Sequence, residues 1–148
     1  MKADSFPEQE MLEKAVSLPL LPRTLEWAKI NSGTTNLDGL GAVAGMLADA
    51  FSALPGDTNL IDPEPVEAVR PDGAVDQIQR GQHLVTSVRS EAPVRILLTG
   101  HMDTVFAADH PFQKIVELES GVLNGPGLAD MKGGLSVMLG ALQLLEQS

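Results

Sequence analysis

Apolar and polar positions recur along this chain with two periods. Residues 8–17, EQEMLEKAVS, mix charge and apolar groups at helical spacing and predict a short amphipathic helix. PLLPRTLEWAKINSGT follows, with Pro22 suited to a helix start and Asn31-Ser32-Gly33 to its end. Residues 36–54 carry the clearest early helix. Asn36 can cap it, and Leu40, Val43, Leu47, Ala50, Phe51 and Leu54 fall on one side before Pro55-Gly56 stops it.

The middle of the chain changes period. NLIDPEPVEAVR is interrupted by Pro63 and Pro65, which predicts an edge strand or a broken one. QHLVTSVRS alternates Leu84, Thr86 and Val88 against Val85, Ser87 and Arg89, as a strand with one better-covered face does. VRILLTG, 94–100, is a nearly continuous apolar run and predicts a strand buried on both faces. FQKIVELESGVLNG predicts a small hairpin turning near Ser120-Gly121. GGLSVMLGALQLLEQ predicts a final helix with Ser136, Gly140, Gln143 and Gln147 on one stripe and apolar residues elsewhere, so it needs cover on most of its circumference. Helices and strands alternate loosely, without repeat, low-complexity tract or linker, and the fold class is α/β.

Composition narrows the function. The 148 residues suffice for one domain with a core, or for one piece of a larger one. Hydrophobic residues at 43% argue against disorder, and a net charge of -10 makes a nucleic-acid backbone an unsuitable partner. With no cysteine, any metal must be held by histidine and carboxylate. The N-terminal MKADSFPEQEML lacks the apolar run of a signal peptide, and no apolar stretch reaches membrane length, so the expectation is a cytoplasmic protein without a membrane partner.

Two stretches can carry chemistry. In LLTGHMDTVF, extended backbone would put His101 and Asp103 on one face, just past the end of a strand, where open α/β sheets place ligands. A metal-binding imidazole usually donates its other N–H to a carboxylate, a task open to Asp103. His-x-Asp alone equally describes a loop histidine beside a turn-capping aspartate. In NGPGLADMKGG, 124–134, four glycines surround Asp130 and Lys132. The spacing does not fit a P-loop. It fits a turn aiming one carboxylate at a metal, or a glycine-rich loop in which Asp130 caps the next helix.

Taken together, TGHMDTV and, some two dozen residues on, GPGLADMKGG with its apolar helix resemble the di-zinc metallopeptidase family of glutamate carboxypeptidase, acetylornithine deacetylase and succinyl-diaminopimelate desuccinylase. Pro126 is most similar to the glutamate carboxypeptidase branch, and INSGTTNLDGLGAVAGMLADAF extends the likeness, which covers roughly residues 20–147. The resemblance implies that His101 is a ligand of one zinc, that Asp130 bridges two zincs, and that Asp103 is the catalytic-site aspartate steadying the His101 ring. It implies a cis peptide at Asp130–Met131. The fold it implies is the N-terminal portion of a three-layer catalytic domain, a mixed β-sheet flanked by helices, with the lid domain absent. The cofactors would be two Zn²⁺, with Co²⁺ or Mn²⁺ as substitutes. The reaction would be hydrolysis of an amide bond in a small peptide or N-acyl amino acid.

The family's paired glutamates, further carboxylate and late histidine have no counterpart here. His83, His110 and Asp109 match no ligand position. Residues 1–148 are therefore expected to be an incomplete N-terminal part of the catalytic domain, binding metal weakly and inactive alone. Its uncovered apolar faces would favour self-association. The competing readings are a non-catalytic binding or regulatory module that keeps the peptidase fold, and a structural α/β domain whose His and Asp are incidental.

Overall fold

The computed structural model describes residues 8–147, with side chains from residue 10. The reading of the N-terminus as free of a leader falls partly on residues 1–7, outside the described residues. Helix α1 spans Glu8–Ser17, α2 Leu20–Ala28, α3 Leu37–Phe51 and α4 Gly133–Glu146. Strands are β1 Asp57–Ile61, β2 Val66–Val69, β3 Val75–Ile78, β4 His83–Ser87, β5 Val116–Glu119 and β6 Val122–Asn124. The chain thus mixes α and β structure as its patterning predicts.

The core lies between α2, α3 and α4. Trp27, Val43, Leu47, Phe51, Leu54, Leu135 and Leu139 form one buried cluster. In α3 the apolar positions three and four apart turn inward, and the Asn36 side chain accepts the Gly39 N–H at the first turn, as the sequence predicts. In α4 the stripe of small and polar residues also turns inward, against α2. Ser136 is fully buried and its hydroxyl donates to the Leu20 carbonyl at 2.9 Å. Arg23 reaches Gln143 Oε1 at 3.3 Å, and a Cβ on Gly140 would stand 2.8 Å from Leu20 Cδ2. The small stripe lets α2 approach closely, while Val137 on α4 is left exposed.

Among the described residues the strands form three antiparallel pairs. β1 pairs with β4 from Asp57↔Ser87 to Ile61↔His83, across a 21-residue excursion that contains the β2–β3 hairpin. Pro63 and Pro65 fall between β1 and β2, so the proline-interrupted segment is a broken strand. β4 alternates as expected, with Leu84 and Thr86 half-buried and their neighbours exposed. β5 and β6 make the expected hairpin, and Gly121 at its turn has φ 79°. β3 was not expected. Its signal was present in Pro71-Asp72-Gly73, a turn tripeptide in which Gly73 takes φ 84° and Asp72 accepts the Ala74 N–H.

One expectation is corrected. Residues 94–100 do not form a strand, and they are not buried: Val94, Ile96, Leu97 and Leu98 are exposed, Leu97 by 85%. A strand exists only through its ladder partners, and among the described residues none pairs with this run. The apolar run predicts burial that these residues do not supply.

Candidate metal centre

The loop after this uncovered run is held from outside. The segment 30–34, between α2 and α3, laces it by a parallel bridge between Gly33 and Thr104. Thr104 N–H donates to Ser32 O at 2.9 Å, Thr34 N–H donates to Thr104 O at 3.0 Å, and the buried Ser32 hydroxyl donates to Met102 O at 2.8 Å. Asn31 extends the lacing by donating to Phe106 O and to Gln113 Oε1. No Cβ fits on Gly33, where it would stand 2.4 Å from Phe106 O.

The second motif forms a tight turn over Leu128–Lys132, entered through Gly127 at φ 73°. Lys132 N–H returns to Gly127 O at 2.9 Å, which leaves Asp130 at the outer edge with a non-helical backbone (φ -128°, ψ 96°). The Asp130–Met131 peptide is cis, as the resemblance implies. Asp130 is not the cap of α4; that position belongs to Lys132.

The two motifs meet. His101 Nε2 lies 3.0 Å from Asp130 Oδ1, and His101 Nδ1 lies 3.1 Å from both Asp103 Oδ1 and the Asp103 carbonyl. The Thr34 hydroxyl donates to the other Asp103 oxygen at 2.6 Å. The result is one row, Thr34–Asp103–His101–Asp130, with Asp103 and Asp130 on opposite sides of the imidazole. His101 N–H also contacts Met131 Sδ at 3.4 Å. Partial burial lowers the imidazole pKa, but the Asp130 hydrogen bond, the Asp103 carbonyl and the two carboxylate charges outweigh it and hold the pKa above its ordinary value. Asp130 is largely exposed and Asp103 about one-third exposed. Beside the row lies a cleft of about 270 Å³ lined by Val105, Phe106, Phe112, Asn124 and Gly125.

Residues 97–148 match the model of peptidase family M20/M25/M40. Over these residues the chain is similar to the M20 peptidase family. The chain is 30% identical over 130 residues to carboxypeptidase G2 of a Pseudomonas species, a match covering 87% of the chain and 28% of that relative. It is 43% identical over 72 residues to a probable succinyl-diaminopimelate desuccinylase of Staphylococcus epidermidis, covering 45% of the chain and 17% of the relative. The chain thus spans well under a third of the length of these M20 relatives. The resemblance groups it with hydrolases, and M20 peptidases are in general metal-dependent.

His83 lines a cavity of about 590 Å³ together with His101 and Asp103, while His110 lies outside the two motifs. His83 is exposed on β4, and His110 rests against Phe106 with its Nδ1 accepting the Phe112 N–H. Among the described residues, no group of three or more His, Cys, Asp or Glu side chains is arranged to hold a metal ion, because Asp103 addresses the far side of the His101 ring. Ser32 and Thr34 were not singled out from the sequence, and Lys132 was named there without a role. The first two lie about 70 residues from their partners, beyond any local pattern. Among the described residues, no helix is long and apolar enough to cross a membrane.

Proposed function

We propose that this chain supplies part of the active site of a metal-dependent amidohydrolase, with His101 and Asp130 as metal ligands and Asp103 orienting His101. The substrate class is a small peptide or an N-acyl amino acid. The observation that carries the reading is the 3.0 Å approach of His101 Nε2 to Asp130 Oδ1, with Asp103 on the other ring nitrogen. Tetrahedral zinc with bonds of about 2.0–2.1 Å holds two ligand atoms roughly 3.3 Å apart. A nitrogen and a carboxylate oxygen at nearly that spacing form a donor set suited to zinc, with cobalt or manganese as substitutes.

With Asp103 accepting from Nδ1–H, the Nε2 lone pair, which faces Asp130 Oδ1, would be the one offered to a cation. Thr34 occupies the second Asp103 oxygen and fixes the carboxylate plane. Asp130, exposed at the turn's edge, would be the carboxylate shared between two ions. A bound divalent ion supplies a Lewis acid and a water acidic enough to attack an amide at neutral pH. Two ligands fall short of the three that catalytic zinc usually takes from protein. The reading therefore includes further ligands, two zincs, the three-layer domain with a mixed sheet and a cytoplasmic setting in the whole enzyme. It has the 148 residues alone binding metal weakly and hydrolysing nothing. It also includes self-association through the exposed 94–98 run, which light scattering of a strictly monomeric chain at high concentration would refute.

Zinc titration of the chain and of His101→Ala and Asp130→Ala tests the ligand assignment. Binding should be lost in both variants, and equal binding in all three proteins overturns it. In the longest natural form, His101→Ala should also abolish amide hydrolysis.

A further inference from the structure

Lys132 has no role in the reading above, yet among the described residues it is foremost by volume of the fully buried side chains, at 1% exposure. Its Nζ donates to the Ile30 carbonyl at 3.3 Å. Burial takes its ammonium out of solvent, which penalises the charged form. A methionine would fill similar space without that penalty, so packing alone does not account for a lysine here.

The contacts of Lys132 account for it. Its backbone N–H closes the 128–132 turn on Gly127 O. Its stem lies over Gly127, where a Cβ would stand 3.2 Å from Lys132 Cδ. Its ammonium then ties this turn to Ile30, the first residue of the segment whose Ser32, Gly33 and Thr34 lace the His101 loop. The two halves of the site come from separate parts of the chain, and Lys132 fastens one to the frame that holds the other.

We propose that Lys132 is a positioning residue that sets the distance between Asp130 and His101 by anchoring the Asp130 turn to segment 30–34. The inference rests on the metal reading above. The test is zinc affinity, by competition with a chromophoric chelator, alongside thermal unfolding of the metal-free protein, for the wild-type chain, Lys132→Met and Lys132→Gln. Lys132→Met should fold with unchanged or raised Tm and bind zinc about tenfold more weakly, the size of effect seen when groups supporting a ligand are removed. Lys132→Gln, neutral but still a donor, should fall between. If either variant folds and binds zinc like the wild type, the positioning role is overturned. If neither variant folds, Lys132 is a structural residue and the proposal is equally overturned. If wild-type zinc binding does not exceed that of His101→Ala, the metal reading itself fails, and this inference with it.

Discussion

Helix α3 contains three glycines that local propensity treats alike and the tertiary structure does not. Gly→Ala in a helix interior usually stabilises by about 1 kcal/mol, because glycine surrenders more backbone freedom on folding. A Cβ on Gly41 or Gly45 would meet nothing within 4 Å, so each substitution should raise stability by about 0.5–1 kcal/mol. A Cβ on Gly39 would stand 1.9 Å from the Asn31 carbonyl oxygen and 2.6 Å from Asn36 Nδ2. Relieving that overlap means moving the first turn of α3 away from segment 30–34. Asn36 then loses its grip on Gly39 N–H at 3.2 Å and its bonds to Asn31 at 2.9–3.0 Å. Overpacking costs about 1–3 kcal/mol and a lost cap about 1 kcal/mol, against roughly 1 kcal/mol of propensity gain. Gly39→Ala should therefore destabilise by about 2 kcal/mol. Urea unfolding followed by circular dichroism on the three variants reads the contrast directly. Finding Gly39→Ala as stable as Gly41→Ala would refute the claim that α3 is pinned against segment 30–34.

Leu139, fully buried in the core, should cost about 2–5 kcal/mol when cut to alanine, read as a lower urea midpoint. Ser136→Ala, which removes one of the two hydroxyls donating to the Leu20 carbonyl and leaves Thr24 as the other, should cost about 0.5–1 kcal/mol by the same assay. Thr34→Val removes the 2.6 Å hydrogen bond to Asp103 and should weaken zinc binding about tenfold while leaving the urea midpoint nearly unchanged; an unaltered zinc affinity would show that Asp103 needs no second support.

Much of this protein is written locally. The inward face of α3, the Asn36 cap, the α4 helix and the Ser120-Gly121 hairpin follow from residues a few positions apart, because helix and turn geometry depend on near neighbours. So do the candidate residues themselves: a histidine and aspartate two apart, and an aspartate among glycines, are visible as types and spacings. The β2–β3 hairpin was equally legible in Pro71-Asp72-Gly73 and was missed for want of a strong alternation on either side. The tertiary structure alone decided the rest. It turned the polar stripe of α4 inward, because α2 needed small residues to approach. It left 94–100 without ladder partners, although the apolar run predicts burial. It joined His101 to Asp130 across 29 positions, and Lys132 to Ile30 across 102. Periodicity records which face of an element is apolar; what that face meets depends on where distant parts of the chain come to rest, and no local pattern carries that information.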